Sequence, residues 1–182
     1  LEYNNNIMTN DSIVSSSSSS SSSTSDIMIK FLAEMEKQYD NKNKDYFRSL
    51  LNHQNNIIRT RAVCILADIA GEDAVEPLSH VLEYDRDALV RHEAAFSLGQ
   101  LGFTSGLAAL SQAVKSDPNF FVRHEAAIAL GVIGSEKARD TLVRALNDPS
   151  GEVRESSLIA LANLDYVSAT KRKNKFTKIT GG

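Results

Sequence analysis

The stretch "LVRHEAAFSLGQLG" at residues 89–102 returns one repeat later as "FVRHEAAIALGVIG" at residues 121–134. Ala94, Ala95, Leu98 and Leu101 fall at i, i+1, i+4 and i+7, as do Ala126, Ala127, Leu130 and Ile133. That spacing gathers small and apolar side chains on one stripe of a helix, where alanines allow close helix approach and longer side chains fill the seam. The pattern predicts helices that pack against copies of themselves. It has no evident need for the His-Glu pair that both copies carry.

Two further segments fit the same frame, "IIRTRAVCILADIAG" at residues 57–71 and "EVRESSLIALANLD" at residues 152–165. Arg59, Arg91, Arg123 and Arg154 then stand in register, 32, 32 and 31 residues apart. A fixed period of this length is the mark of a repeat architecture. Each segment follows a second stretch of helical period: "YFRSLLN", "AVEPLSHVLEY", "GLAALSQAVK" and "ARDTLVRALN". Turn signals separate the two helices of a unit, as in "SDPN" at Pro118 and "NDPS" at Pro149, where an Asp-Pro step disfavours helix. Gly71, Gly102 and Gly134 sit just past the last periodic residue, where helices commonly end in glycine. The expected fold is all-α, an α-solenoid of about four two-helix repeats whose phase resembles HEAT repeats. The arginine in all four units reads as a structural residue that bonds backbone or acidic groups between units. "DIMIKFLAEMEKQY" is expected to form an N-terminal capping helix over residues 26–40, with the HEAT-like repeat domain at 41–165.

Both ends differ in composition from this body. An unbroken serine run, Ser15 to Ser23, follows an Asn-rich start. Too little apolar surface is available there to offset ordering entropy, so residues 1–25 are expected to be disordered. Residues 166–182 hold five basic side chains and no acid, and are expected to form a basic disordered tail. The first 25 residues carry −2 and the whole chain −3, so the body between the two ends carries −6. An acidic body disfavours nucleic acid, whose binding rests on neutralising phosphates, and suits a cationic ligand. No apolar run reaches the roughly 18 residues that span a bilayer. The single cysteine, Cys64 in "AVCILADIA", admits no internal disulfide and reads as a small buried residue of a cytoplasmic protein.

His92-Glu93 and His124-Glu125 occupy one position of the repeat, where the first unit has Thr60-Arg61 and the last has Glu155-Ser156. The scaffold therefore folds without the pair. Stacked helices lie about 8–10 Å apart, so equivalent side chains on adjacent second helices reach towards a common point. Neighbouring residues on a helix diverge by about 100°, so one His-Glu pair does not chelate a single ion; the glutamates would bridge to a neighbouring metal or hold a ligand. Imidazole with carboxylate and open positions is the ligand set of non-haem iron, and zinc or manganese also fit. Internal duplication would copy the pair without any function, and a glutamate in a first helical turn also gains from the helix dipole.

With its twin "VRHEAA" helices ending in "LGQLG" and "LGVIG", followed by a unit opening "VRESS", residues 45–166 resemble the deoxyhypusine hydroxylase family. That resemblance implies a HEAT-like solenoid whose paired His-Glu motifs bind two irons. It makes His92, Glu93, His124 and Glu125 iron-site residues, with Glu93 and Glu125 as the catalytic carboxylates. The implied reaction uses dioxygen to hydroxylate the cationic deoxyhypusine side chain of translation initiation factor 5A, which agrees with the acidic body. Family members carry two halves and four His-Glu pairs, with the irons between the halves. This chain has two pairs, so the expected partner is a second copy in a homodimer. Asp85, Asp87 and Glu155 are rim acids that would attract a cation or simply face solvent. Two rival readings share the frame: a protein-binding scaffold and a bilin-lyase-type repeat protein. Neither requires the twin pairs.

Overall fold

A computed structural model of the chain describes residues 17–172. Nine α-helices and no strand occur among the described residues. The chain divides at residue 42 into two compact units. The first unit contains α1, Ser17–Asp40. It starts nine residues before the expected capping helix, so part of the serine run is helical rather than disordered. Once an apolar-periodic segment has formed a helix, each added residue gains a backbone hydrogen bond, and serine gives up only a few tenths of a kcal/mol relative to alanine. The expectation for residues 1–16 falls outside the described residues.

In the second unit, α2 (Lys44–Leu50) pairs with α3 (Asn56–Ala70) and α4 (Val75–Tyr84) with α5 (Ala88–Leu101). Likewise α6 (Leu107–Ser116) pairs with α7 (Phe120–Ile133) and α8 (Arg139–Ala145) with α9 (Gly151–Arg172). The second helices α3, α5, α7 and α9 stack in one layer, and α4, α6 and α8 in the other. Leu66, Leu98, Leu130 and Leu164 from the first layer and Leu78, Leu110 and Leu142 from the second are almost fully buried between them. The helix α9 continues to Arg172, so residues 166–172 are helical where a disordered tail was expected. Val167 is buried and extends the apolar stripe of Ala160 and Leu164 by one turn. The rest of the basic tail lies outside the described residues.

Local chemistry sets the helix ends. Asn55, Asp87 and Asn119 cap α3, α5 and α7, each accepting the backbone N–H two residues on at 2.8–2.9 Å. Gly71, Gly102 and Gly134 all have positive φ, the conformation that closes a helix and that residues with a Cβ avoid. Asp87 also accepts from the Asn56 amide at 2.7 Å. The Asn56 amide first, and then the Leu89 N–H, hold the Asp87 carboxyl below its ordinary range. Asp87→Ala is therefore expected to cost about 1 kcal/mol, read as a lower urea midpoint. Because the folded pKa is depressed, this contribution is present above the unfolded value of about 3.9. It fades as pH falls through the folded value, so the gap between the two proteins should close in acid.

The in-register arginines form a ladder between units. Arg59 grips Asp85, Arg91 grips Asp117 and Arg123 grips Asp148, each through two N–H···O bonds of 2.7–2.9 Å. Each arginine also donates to a carbonyl six residues earlier, at His53, Asp85 or Asp117. Arg154, in the last unit, donates to the carbonyls of Asp148 and Pro149 and grips no carboxylate among the described residues. Between the second helices the spacing is set by glycine facing alanine. A Cβ built on Gly99 would stand 2.8 Å from Ala129 Cβ, and one on Gly131 would stand 2.7 Å from Ala160 Cβ. Among the described residues, no helix is long and apolar enough to cross a membrane.

Candidate metal centre

The caps and the arginine ladder fix where the His-Glu pairs lie. Asp87 and Asn119 start α5 and α7 at the same repeat position, which puts both pairs in the second turn of their helices. Neither glutamate is in a first turn, so the helix dipole, which acts within that turn, does not account for them. The pairs face the open side of the second-helix layer, flanked by exposed Leu89, Phe96 and Phe121.

Contacts run diagonally from one unit to the next. His92 Nε2 lies 3.5 Å from Glu125 Oε2. One unit on, His124 Nδ1 lies 2.6 Å from Ser156 Oγ, and Ser156 stands where Glu125 stands in its own unit. Each histidine thus reaches the second residue of the next pair. Burial pushes the Glu125 carboxyl up from its ordinary value; the imidazoles of His92 and His124 oppose that shift and the Glu93 carboxylate adds to it. His92, His124 and Glu93 thus all act electrostatically on Glu125, although the four side chains do not converge on a single point. Glu93 instead accepts the Cys64 thiol at 3.0 Å. Among the described residues, no group of three or more His, Cys, Asp or Glu side chains is placed to hold one ion.

Cys64 corrects the sequence reading. The residue is exposed, because it shares the repeat position of Phe96 and Ile128 on the open side of the layer rather than the buried stripe. Its thiol is half-covered, and that covering together with the hydrogen bond to Glu93 pushes it up to about 12. It stays a protonated donor rather than a thiolate. Nothing in the repeat pattern marks position 64 as a neighbour of Glu93; that contact arises only from stacking α3 on α5.

The proposed rim acids are employed elsewhere. Asp85 is bound by Arg59 and by the Asp87 N–H, and Asp87 caps α5. Only Glu155 faces solvent. Cavities of about 210 and 410 Å³ lie near the loops, lined respectively by His53, His80 and Tyr84 and by Leu82, Arg91 and Pro118. Neither of these two includes a His-Glu residue.

In kind, these side chains suit a non-haem iron: imidazole beside carboxylate, the glutamate largely withdrawn from water, with open sides. In number, the described residues of one chain bring no three such side chains together around one point.

By sequence, residues 17–98 and 75–162 match the family described as HEAT repeats, and the chain belongs to that family. Among solved structures, human deoxyhypusine hydroxylase in complex with glycerol is similar at 33% identity and a TM-score of 0.63. The match covers 69% of this chain and 44% of that one, so this chain spans less than half the relative's length. The complex of CpcE and CpcF of phycocyanin lyase from a Nostoc species aligns at 23% identity and a TM-score of 0.60, over 71% of this chain and 56% of that one. An engineered protein aligns at 22% identity and a TM-score of 0.51, over 72% and 68%. At these identities the last two show the fold alone. No curated protein sequence matches the chain.

Proposed function

We propose that the chain is one half of a non-haem iron oxygenase of the deoxyhypusine hydroxylase type, completed by a second copy facing it across a two-fold axis. The observation that carries this reading is the juxtaposition of His92 and Glu125 at 3.5 Å across two repeats, with His124 and Glu93 within electrostatic reach. The similarity to human deoxyhypusine hydroxylase at 33% identity supports it. His92, Glu93, His124 and Glu125 of both copies would hold two irons per assembled site. Bound iron supplies the activation of dioxygen needed to place one oxygen on an unactivated C–H bond.

The protein's own side chains do the rest. The carboxylates of Glu93 and Glu125 balance the charge of the metal and accept the substrate amine. Leu89 and Phe121, each 56% exposed, and Phe96, 43% exposed, ring the pairs, and a second copy laid over them would exclude water. The acidic body draws in a cationic side chain, which fits deoxyhypusine on translation initiation factor 5A. The cytoplasm is the compartment this reading implies.

The test is iron content measured together with oligomeric mass. An iron-loaded dimer is expected, with iron lost in both His92→Ala and His124→Ala. Incubation with the factor-5A substrate, dioxygen and a reductant should add the mass of one oxygen. A folded, metal-free monomer would overturn the proposal. It would favour a second reading, a protein-binding scaffold, for which the in-register exposed column of Ile57, Leu89 and Phe121 is the supporting observation.

A further inference from the structure

Ser156 is buried, and its hydroxyl meets two partners at once. Its Oγ lies 2.8 Å from the Glu152 carbonyl, one turn back on α9, and 2.6 Å from His124 Nδ1 on α7. A hydroxyl has one proton to give. The carbonyl can only accept, so the Ser156 proton goes to Glu152, as serines inside helices commonly arrange. Oγ is then left with lone pairs towards His124, which must donate. A second contact demands the same. His124 Nδ1 also lies 3.4 Å from the Glu152 carbonyl oxygen. An unprotonated Nδ1 there would set lone pair against lone pair, whereas an Nδ1–H points at two acceptors.

Resting on the metal-centre reading, we propose that Ser156 is a positioning residue that fixes His124 as the Nδ1–H tautomer and leaves its Nε2 lone pair for a metal ion. The ring nitrogen not used in a protein hydrogen bond is the one that can bind a metal, and the bond on the other side sets which nitrogen that is. Ser156 fills the repeat position of Glu125, so the last unit lends the His-Glu column a neutral acceptor where the unit before lends a carboxylate. His92 has a different arrangement, with Nε2 turned to Glu125. The two histidines are thus oriented by different means, and only His124 has its tautomer set by a hydroxyl.

The test uses the full chain, metal-free and ¹⁵N-labelled, with long-range proton–nitrogen correlation of the imidazole rings above their titration range. Wild type is expected to show a protonated Nδ1 and a bare Nε2 on His124. Ser156→Ala leaves only the longer Glu152 carbonyl contact to hold the Nδ1 proton, so part of the population should move to Nε2, while Ser156→Thr should keep the wild-type pattern. Ser157→Ala serves as a control, because Ser157 makes the same back-bond, to Val153, without touching His124. Anaerobic titration with ferrous ion should show affinity about 10- to 100-fold lower in Ser156→Ala than in wild type. A wild-type His124 protonated on Nε2, or an unchanged tautomer in Ser156→Ala, overturns the assignment. The expected tautomers with no iron bound by any variant would uphold the role of Ser156 in setting the ring and overturn the metal-centre reading instead.

Discussion

Asp117→Ala is expected to destabilise the repeat domain by about 3–5 kcal/mol, read as a large drop in the urea midpoint. Asp117 joins α6 to α7 and accepts three hydrogen bonds: two from Arg91 at 2.7 and 2.9 Å and one from the Asn119 N–H at 2.8 Å. Both partners of the ion pair are almost closed off from water, with side-chain exposures of 10% for Arg91 and 5% for Asp117. Truncating the acid leaves the guanidinium buried without its hydrogen-bonded counter-charge, with only the weaker pull of Asp85 and Asp87 remaining, and that poorly compensated desolvation is the main cost. Asp117→Asn keeps the shape and part of the hydrogen bonding, so it should lose less. Replacing both partners, Arg91→Met with Asp117→Leu, should recover much of the loss, since neither charge of this pair then remains buried. An Asp117→Ala midpoint equal to wild type would mean that the ladder does not hold the units together.

Gly131→Val should cost about 3 kcal/mol, the upper part of the range for overfilling a packed contact. The obstacle is backbone: a Cβ at Gly131 would lie 2.7 Å from Ala160 Cβ and 2.8 Å from Ala160 Cα, so α7 and α9 must part. Better helix propensity than glycine returns only a few tenths of a kcal/mol, so the clash wins. Parting these helices also strains the Asn163 amide bond to the Gly131 carbonyl, 2.7 Å, and the Ser156–His124 contact. Gly106→Ala is the contrasting case. Its Cβ would first meet the Leu98 side chain at 3.4 Å, and the change should stay within about 0.5 kcal/mol. Exchanging the two residues, Gly131→Ala with Ala160→Gly, removes the methyl contact but leaves the new Cβ 2.8 Å from the residue-160 Cα, so it should recover only part of the stability. If that exchange is as damaging as Gly131→Val, helix spacing is not what the glycine provides.

The residues that defined the fold in sequence were those whose roles repeat. Arg59, Arg91 and Arg123 recur because each bridges to the next unit. Gly102 and Gly134 recur because both end helices with positive φ. Their partners were harder to see. Asp85 reads as a rim acid until Arg59 is found on it, since the two are 26 residues apart and belong to different units. The start of α1 at Ser17 and the end of α9 at Arg172 were misread, because composition describes a segment's own preference and not the helix it continues. Ser156 and Cys64 carried no signal of their own. Each touches the His-Glu column only through a helix of the adjacent unit.

Taken alone, the sequence determined the number of repeats, the capped helix ends inside the repeat domain and the presence of two His-Glu pairs at one height of the stack. These follow from periodicity, caps and turns, which act within a few residues along the chain. Tertiary structure decided which side chains meet. Glycine-to-alanine contacts set how closely the second helices approach, and each histidine meets the second residue of the following pair rather than its own counterpart. That diagonal is a property of two packed helices together, so no single repeat encodes it.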